Sequence, residues 1–225
     1  MEYPIEVKGQ MDCYGQPLAI RAPQPFIKEL GEYLAPQSLI ADIGSLSGDN
    51  GLYLATQGHT VANVDVYYGG LVDGQRKARA LGSVANSFIV GSAAALMFGS
   101  ERCDAVICAH VLQLIDRSIV PVVMDEMQRI TRPGGLHAVK VYAGTEHEIA
   151  VRPAYTMYQF GELKHYYETL GWQILKHAER YLQPHDDTAG ISSYSALIAQ
   201  KPPAVNTQHK RTYMNANRQL ITIEP

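Results

Sequence analysis

Residues 39–48 read Leu-Ile-Ala-Asp-Ile-Gly-Ser-Leu-Ser-Gly, an apolar run that ends in an acid and then turns through two glycines. A helical pattern follows over about 49–57 and stops at Gly58. A second apolar run, 60–65, again ends in an acid, Asp65. A strand, a glycine turn, a helix and a second strand in so few residues predict a right-handed βαβ unit, and hence a parallel sheet that needs helices on its faces. The same turn suits a nucleotide-like ligand. Glycines admit the ligand to the backbone, the helix N-terminus offers amides, and an acid ending the next strand takes ribose hydroxyls. Asp65 lies 23 positions after Asp42, close to the spacing of such an acid.

The alternation continues downstream. Residues 71–81 predict a helix capped by Gly82, 87–90 a short third strand and 104–109 a fourth. A helix near 117–131 puts Val120, Val123, Met127 and Ile130 on one side. Arg132-Pro133-Gly134-Gly135 reads as a turn, and 136–142 as strand five. Residues 143–159 form a long connection rich in tyrosine, histidine and charge, and a helix with Phe160, Leu163, Tyr167 and Leu170 follows. Strands six (172–178) and seven (194–200) are joined by a loop, which predicts an antiparallel pair. The expected fold is therefore α/β, a Rossmann-like, seven-stranded, mostly parallel sheet with helices on both faces and a C-terminal antiparallel hairpin.

Three segments are expected: an N-terminal arm at 1–24, irregular because of its glycines and prolines, one domain at 25–201, and a polar, flexible tail at 202–225 that begins Pro202-Pro203. The chain has 225 residues, enough for one domain with a full core. A net charge of −3 gives no electrostatic case for nucleic acid. No stretch approaches the roughly 20 apolar residues of a membrane span, and Met1-Glu2-Tyr3-Pro4-Ile5-Glu6 does not read as a signal peptide. The three cysteines, Cys13, Cys103 and Cys108, lack metal-ligand spacing, and so sparse a set fits a reducing cytoplasm.

The turn, Asp65 and the closing hairpin together resemble the class I S-adenosylmethionine-dependent methyltransferases. Further motifs resemble the tellurite-resistance methyltransferase family. These are Gly51-Leu52-Tyr53-Leu54-Ala55, Val111-Leu112-Gln113-Leu114-Ile115, Ile119-Val120-Pro121, Met127-Gln128-Arg129-Ile130-Thr131-Arg132-Pro133-Gly134-Gly135, and Gly161-Glu162-Leu163-Lys164-His165-Tyr166-Tyr167-Glu168. The likeness covers roughly residues 12–201, and 119–168 is its most specific part. The resemblance implies S-adenosylmethionine as cofactor and no metal. It places Asp42, Gly44, Ser45 and Gly48 of the turn at the cofactor, with Asp65, Val66, Ser92, Ala93 and Ala109.

The acceptor is expected to be a small molecule, held by side chains in loops at the C-terminal ends of the strands. His110 directly follows strand four. Tyr14, in Asp12-Cys13-Tyr14-Gly15, lies in a segment similar to the family's N-terminal stretch, and Arg21 of the same arm would meet an anion. The 143–159 connection adds His147, Arg152 and Tyr155. In the tellurite family a His-Arg pair between strands six and seven goes with the substrate. The counterpart here is His185, and an acid, Asp186, stands where the arginine would be and would repel an oxyanion. The turn departs from the family too. Leu46 replaces the middle glycine of Gly-x-Gly-x-Gly, and its side chain would either crowd the cofactor or point away from it. The acid often found after strand three is missing from Val90-Gly91-Ser92-Ala93, where Ser92 offers only a hydroxyl. Three readings follow: a cytoplasmic methyltransferase acting on a small molecule, with a tellurite- or selenite-type oxyanion as one candidate, an inactive relative serving as a binding or regulatory partner, or a dinucleotide-dependent oxidoreductase. The oligomeric state is left open, a homodimer being one form.

Overall fold

The computed structural model describes residues 2–82, 85–150, 155–181, 193–204, 211–214 and 220–223, the last two segments as backbone. It opens with β1 (Ile5–Met11) and β2 (Pro17–Ile20), paired antiparallel. The N-terminal segment is thus a hairpin, not an irregular arm. Val7, Leu18 and Ile20 bury a small cluster of their own with Leu81 packed against it, and this burial prevails over the local breakers.

The main body runs α1 (Pro25–Tyr33), β3 (Leu39–Ile43), α2 (Asp49–Thr56), β4 (Thr60–Asp65), α3 (Tyr68–Ala80), β5 (Asn86–Val90), β6 (Cys103–Ala109), α4 (Val120–Ile130), β7 (Thr131–Gly144), α5 (Glu146–Ala150), β8 (Tyr158–Gln159), α6 (Glu162–Thr169), β9 (Gln173–Arg180) and β10 (Tyr194–Gln200). The sheet order is β5-β4-β3-β6-β7-β10-β9, and β8 adds a two-residue parallel pairing to the end of β7. Neighbours from β5 to β7 are parallel. Only β10 is reversed, antiparallel to both β7 and β9. The seven-stranded expectation and its closing hairpin are borne out.

Strand alternation makes two cores. Ile40, Ala105, Ile107, Ala138 and Ile198 pack with Phe26, Ile27, Leu30 and Leu54 on one face. Ala41, Ile43, Val106, Val139 and Leu197 pack with Val123, Met127, Leu163 and Tyr167 on the other. From β3 the chain moves outward through β4 and β5, then returns to β6 beside β3. That reversal opens a crevice over the C-terminal ends of β3 and β6.

Five local expectations change. Arg132-Pro133-Gly134-Gly135 is not a separate turn but the irregular start of β7, with a register shift against β6 and Gly134 at φ +73°. Arg132 Nε binds Asp104 Oδ1 at 2.6 Å, and Asp104 Oδ2 accepts Leu39 N at 2.7 Å, so this start is pinned to β6 and β3. α3 begins three residues before its apolar pattern, and α4 is shorter than 117–131. The 143–159 connection carries α5 and β8. The tail contains two paired strands, β11 (Arg211–Met214) and β12 (Leu220–Ile223).

Candidate active site

A cavity of about 730 Å³ occupies the crevice, within the range typical of small-molecule sites. Its floor is the turn after β3. Gly44 N and Ser45 N both donate to Val64 O, which curls the turn against the end of β4. Gly44 has φ +68°, and a Cβ there would lie 2.1 Å from Val111 Cγ2, so only glycine fits. Gly48 is different. It is buried, takes φ +70°, and a Cβ would meet Asn63 Oδ1 at 2.8 Å, yet it does not line the cavity. Its role is to seat α2 on β4, which corrects its assignment to the cofactor.

Leu46 takes a left-handed backbone, φ +51°, of the kind that glycine adopts freely. Its Cδ1 lies where a side chain on Gly70 of α3 would stand, 2.8 Å from that Cβ position. The leucine leans on α3 through the space that Gly70 leaves, while still edging the cavity. Lys77 of α3 braces the same loop. Its buried Nζ binds Ser47 Oγ at 2.7 Å and Asp49 Oδ1 at 2.9 Å. Asp49 Oδ1 also accepts Arg21 N, and Asn50 Oδ1 accepts Gln24 N, so the N-terminal segment is tied to the first turn of α2.

The acids sit as their positions suggested. Asp65, at the end of β4, accepts Leu46 N on Oδ2 at 2.7 Å and Tyr67 N on Oδ1 at 2.8 Å. Each oxygen retains capacity for a second donor, such as a ribose hydroxyl. Asp42 is buried, and desolvation pushes its carboxyl up to about 7, against a lowering contribution from the Gly51 amide. Ser92 Oγ accepts Ala94 N at 3.2 Å, and Val66 and Ala93 supply apolar wall.

His110 closes β6 in a left-handed conformation, φ +60°, with its amide bonded to Lys140 O at 2.8 Å. Its ring tilts against Tyr142 at 5.2 Å, and Tyr142 meets Tyr155 edge-on at 5.4 Å. Burial, aided by Lys140, lowers the imidazole to about 4, so it is neutral near pH 7. Asp42 Oδ2, Ser45 Oγ and His110 Nδ1 are all buried without a hydrogen-bond partner, and all three residues line this one cavity. Orphaned polar atoms around a single space are what a polar ligand would satisfy.

The structure brings Tyr14, Arg21, Asp42, Gly44, Ser45, Asp65, Val66, Ser92, Ala93, Ala109 and His110 to one cavity. Arg152 and His185 lie outside the described residues. His147 is on α5 and does not line it. Sequence reasoning missed Gln24, Asp49, Lys77 and Lys140. For Lys140 the one signal was that it interrupts the apolar Leu136 and Ala138 face of its strand, which marks burial but not its partners.

This sheet order, with one reversed strand and a glycine turn and an acid over the switch point, is that of the class I S-adenosylmethionine-dependent methyltransferases. Residues 24–191 match the family described as tellurite resistance protein TehB, and the chain belongs to that family. S-adenosylmethionine is the cofactor of this class, and the unsatisfied atoms around the cavity fit it. No curated protein matches the chain. Among solved structures, the [4+2]-cyclase SpnF aligns with a TM-score of 0.68 at 17% identity over 80% of each chain. A SAM-dependent methyltransferase of Methanosarcina mazei aligns at 0.67 and 19%, over 81% of this chain and 100% of that one. TehB from Haemophilus influenzae aligns at 0.66 and 18%, over 79% of this chain and 62% of that one. At these identities the likeness is one of fold. Among the described residues no helix is long and apolar enough to cross a membrane.

Proposed function

We propose that this chain is an active S-adenosylmethionine-dependent methyltransferase of a reducing compartment, with a small organic molecule as acceptor. The observation that carries this reading is the set of three buried, unpartnered polar atoms, on Asp42, Ser45 and His110, around one cavity that Asp65 also lines. Fold alone would not suffice, since a structure with the same fold is named a cyclase.

The bound cofactor supplies a methyl group on a sulfonium, ready for in-line displacement. The chain supplies position, the larger part of what such a reaction needs. Asp65 takes the ribose hydroxyls, Gly44 and Ser45 let the backbone approach, and the carboxylates of Asp49 and Asp65 suit a cationic ligand. Val66 and Ala93 flank a flat apolar group. His110, neutral at rest, presents a nitrogen to the acceptor's side.

A tellurite- or selenite-type oxyanion fits this lining less well. Arg21 is the one cation among the described lining residues, beside the carboxylates of Asp42, Asp49 and Asp65 in the same lining, and His110 brings no charge. Titration calorimetry with S-adenosylhomocysteine tests the cofactor reading. The wild type should bind, and Asp65→Ala should bind about ten- to a hundredfold more weakly, the loss expected for hydrogen bonds to a charged group. Equal affinity in the two proteins would remove Asp65 from the site. Absence of binding by the wild type would leave the non-catalytic, regulatory reading.

A further inference from the structure

The wall behind Gln24 carries a charge that the cofactor does not use. Lys140 lies on β7, where it pairs in register with Ala109, the residue before His110. It is half-buried. Its Nζ sits 4.2 Å from the centre of the Tyr194 ring and donates to Gln24 Oε1 at 3.1 Å. Among the described residues it forms no ion pair. Burial and the like charge of Arg180 hold its ammonium below the usual lysine range. Arg180 stands opposite Tyr194 in the β9–β10 ladder, on the strand beyond it. A half-buried ammonium with an amide oxygen and a ring face as its partners is under-compensated, and an anion would complete it.

The surroundings say which kind of anion. Tyr142 follows Lys140 by two residues and so shares its face of the strand. Its ring packs on His110, which lines the cofactor cavity. Gln24 also lines that cavity and stands between it and Lys140. A small inorganic oxyanion held at Lys140 would sit behind Gln24, outside the cavity that Asp65 and His110 line. Lys140 pairs with Ala109 and His110 directly follows it, so a carboxylate at Lys140 and a ring at His110 would be one residue step apart, beside the Tyr142 ring.

We propose that Lys140 and Gln24 anchor the carboxylate of a planar organic acceptor, with Tyr142 and Tyr194 beside its ring and its nucleophile in the cavity at His110. This rests on the methyltransferase reading. In the step it implies, the acceptor's oxygen or nitrogen donates an electron pair to the methyl carbon. The carbon–sulfur bond breaks and its electrons stay on sulfur, which becomes a neutral thioether. The nucleophile's proton passes to the His110 imidazole and on to water.

The test uses the full chain saturated with S-adenosylhomocysteine, titrated with 3- and 4-hydroxybenzoate, the matching hydroxybenzamides, and selenite. At least one hydroxybenzoate should bind tenfold or more tightly than its amide. Lys140→Met should abolish that preference and Lys140→Arg should restore it, with affinity for S-adenosylhomocysteine unchanged within about twofold in both variants. Equal binding of acid and amide, a preference that survives Lys140→Met, or Lys140-dependent binding of selenite alone would overturn the proposal. Failure of S-adenosylhomocysteine to bind at all would instead overturn the methyltransferase reading on which it rests.

Discussion

The cofactor half of the cleft is built from residues 42–66, one βα unit and the acid that ends the next strand, whereas the proposed acceptor side joins Gln24 and His110 of the cleft to Lys140 and Tyr194 behind it, from four separate places in the chain. Their charges are opposite. Asp65, with Asp42 once it is ionised, brings negative charge to the first half, and Lys140 and Arg180 bring positive charge to the second. A cationic sulfonium and an anionic acceptor would each find complementary potential, and exchanging them would cost both. The contrast also separates what is held rigidly from what is adaptable. The turn is fixed by Gly44, Leu46 and the Lys77 brace, while the acceptor wall is a set of rings and one long side chain.

The largest expected effect falls on the brace. Lys77→Met leaves Asp49 without its buried partner, and removing one member of such a pair costs about 3 kcal/mol. Urea unfolding should register that loss, and affinity for S-adenosylhomocysteine should fall with it because Ser47 and Arg21 lose their common tether. A stable variant with normal affinity would mean that the loop holds itself.

Asp42 gives a smaller effect with a defined pH signature. Its folded carboxyl titrates near 7 and its unfolded one near 3.8, so between these values the folded state binds more protons than the unfolded. Stability therefore falls as pH rises through that window, and the full penalty is present above it. Asp42→Asn lacks the slope. The stability difference between variant and wild type should shift in the variant's favour by roughly 1–3 kcal/mol from pH 5 to pH 7. A difference that does not change with pH would show that Asp42 is ionised throughout.

Much of the first half was legible because it is local. The apolar run, the glycines and Asp65 lie within one βα unit, and the physics of that unit acts at short range along the chain. His110 was legible for the same reason, as the residue that ends a strand beside the switch point. Lys140 was not, since its partners Gln24 and Tyr194 are brought to it only by sheet register and by the docking of α1. Gly48 was placed on the ligand because φ > 0 and close approach look alike in sequence, whereas the neighbour it admits is Asn63. The N-terminal hairpin was hidden by its glycines and prolines, because what holds it is burial of Val7, Leu18 and Ile20.

Leu46 is where the two ways of reading the chain differ most, and its expected effect is the smallest. Leu46→Gly relieves a left-handed leucine, worth about 1 kcal/mol, and forfeits its packing on Gly70, also about 1 kcal/mol. The most direct test of the central claim, that this altered turn is still a working cofactor grip, is the affinity for S-adenosylhomocysteine of wild type and Leu46→Gly measured side by side. Both proteins should bind, with affinities within about threefold of each other, a difference under about 1 kcal/mol. A wild type that does not bind, beside a glycine variant that does, would contradict the account.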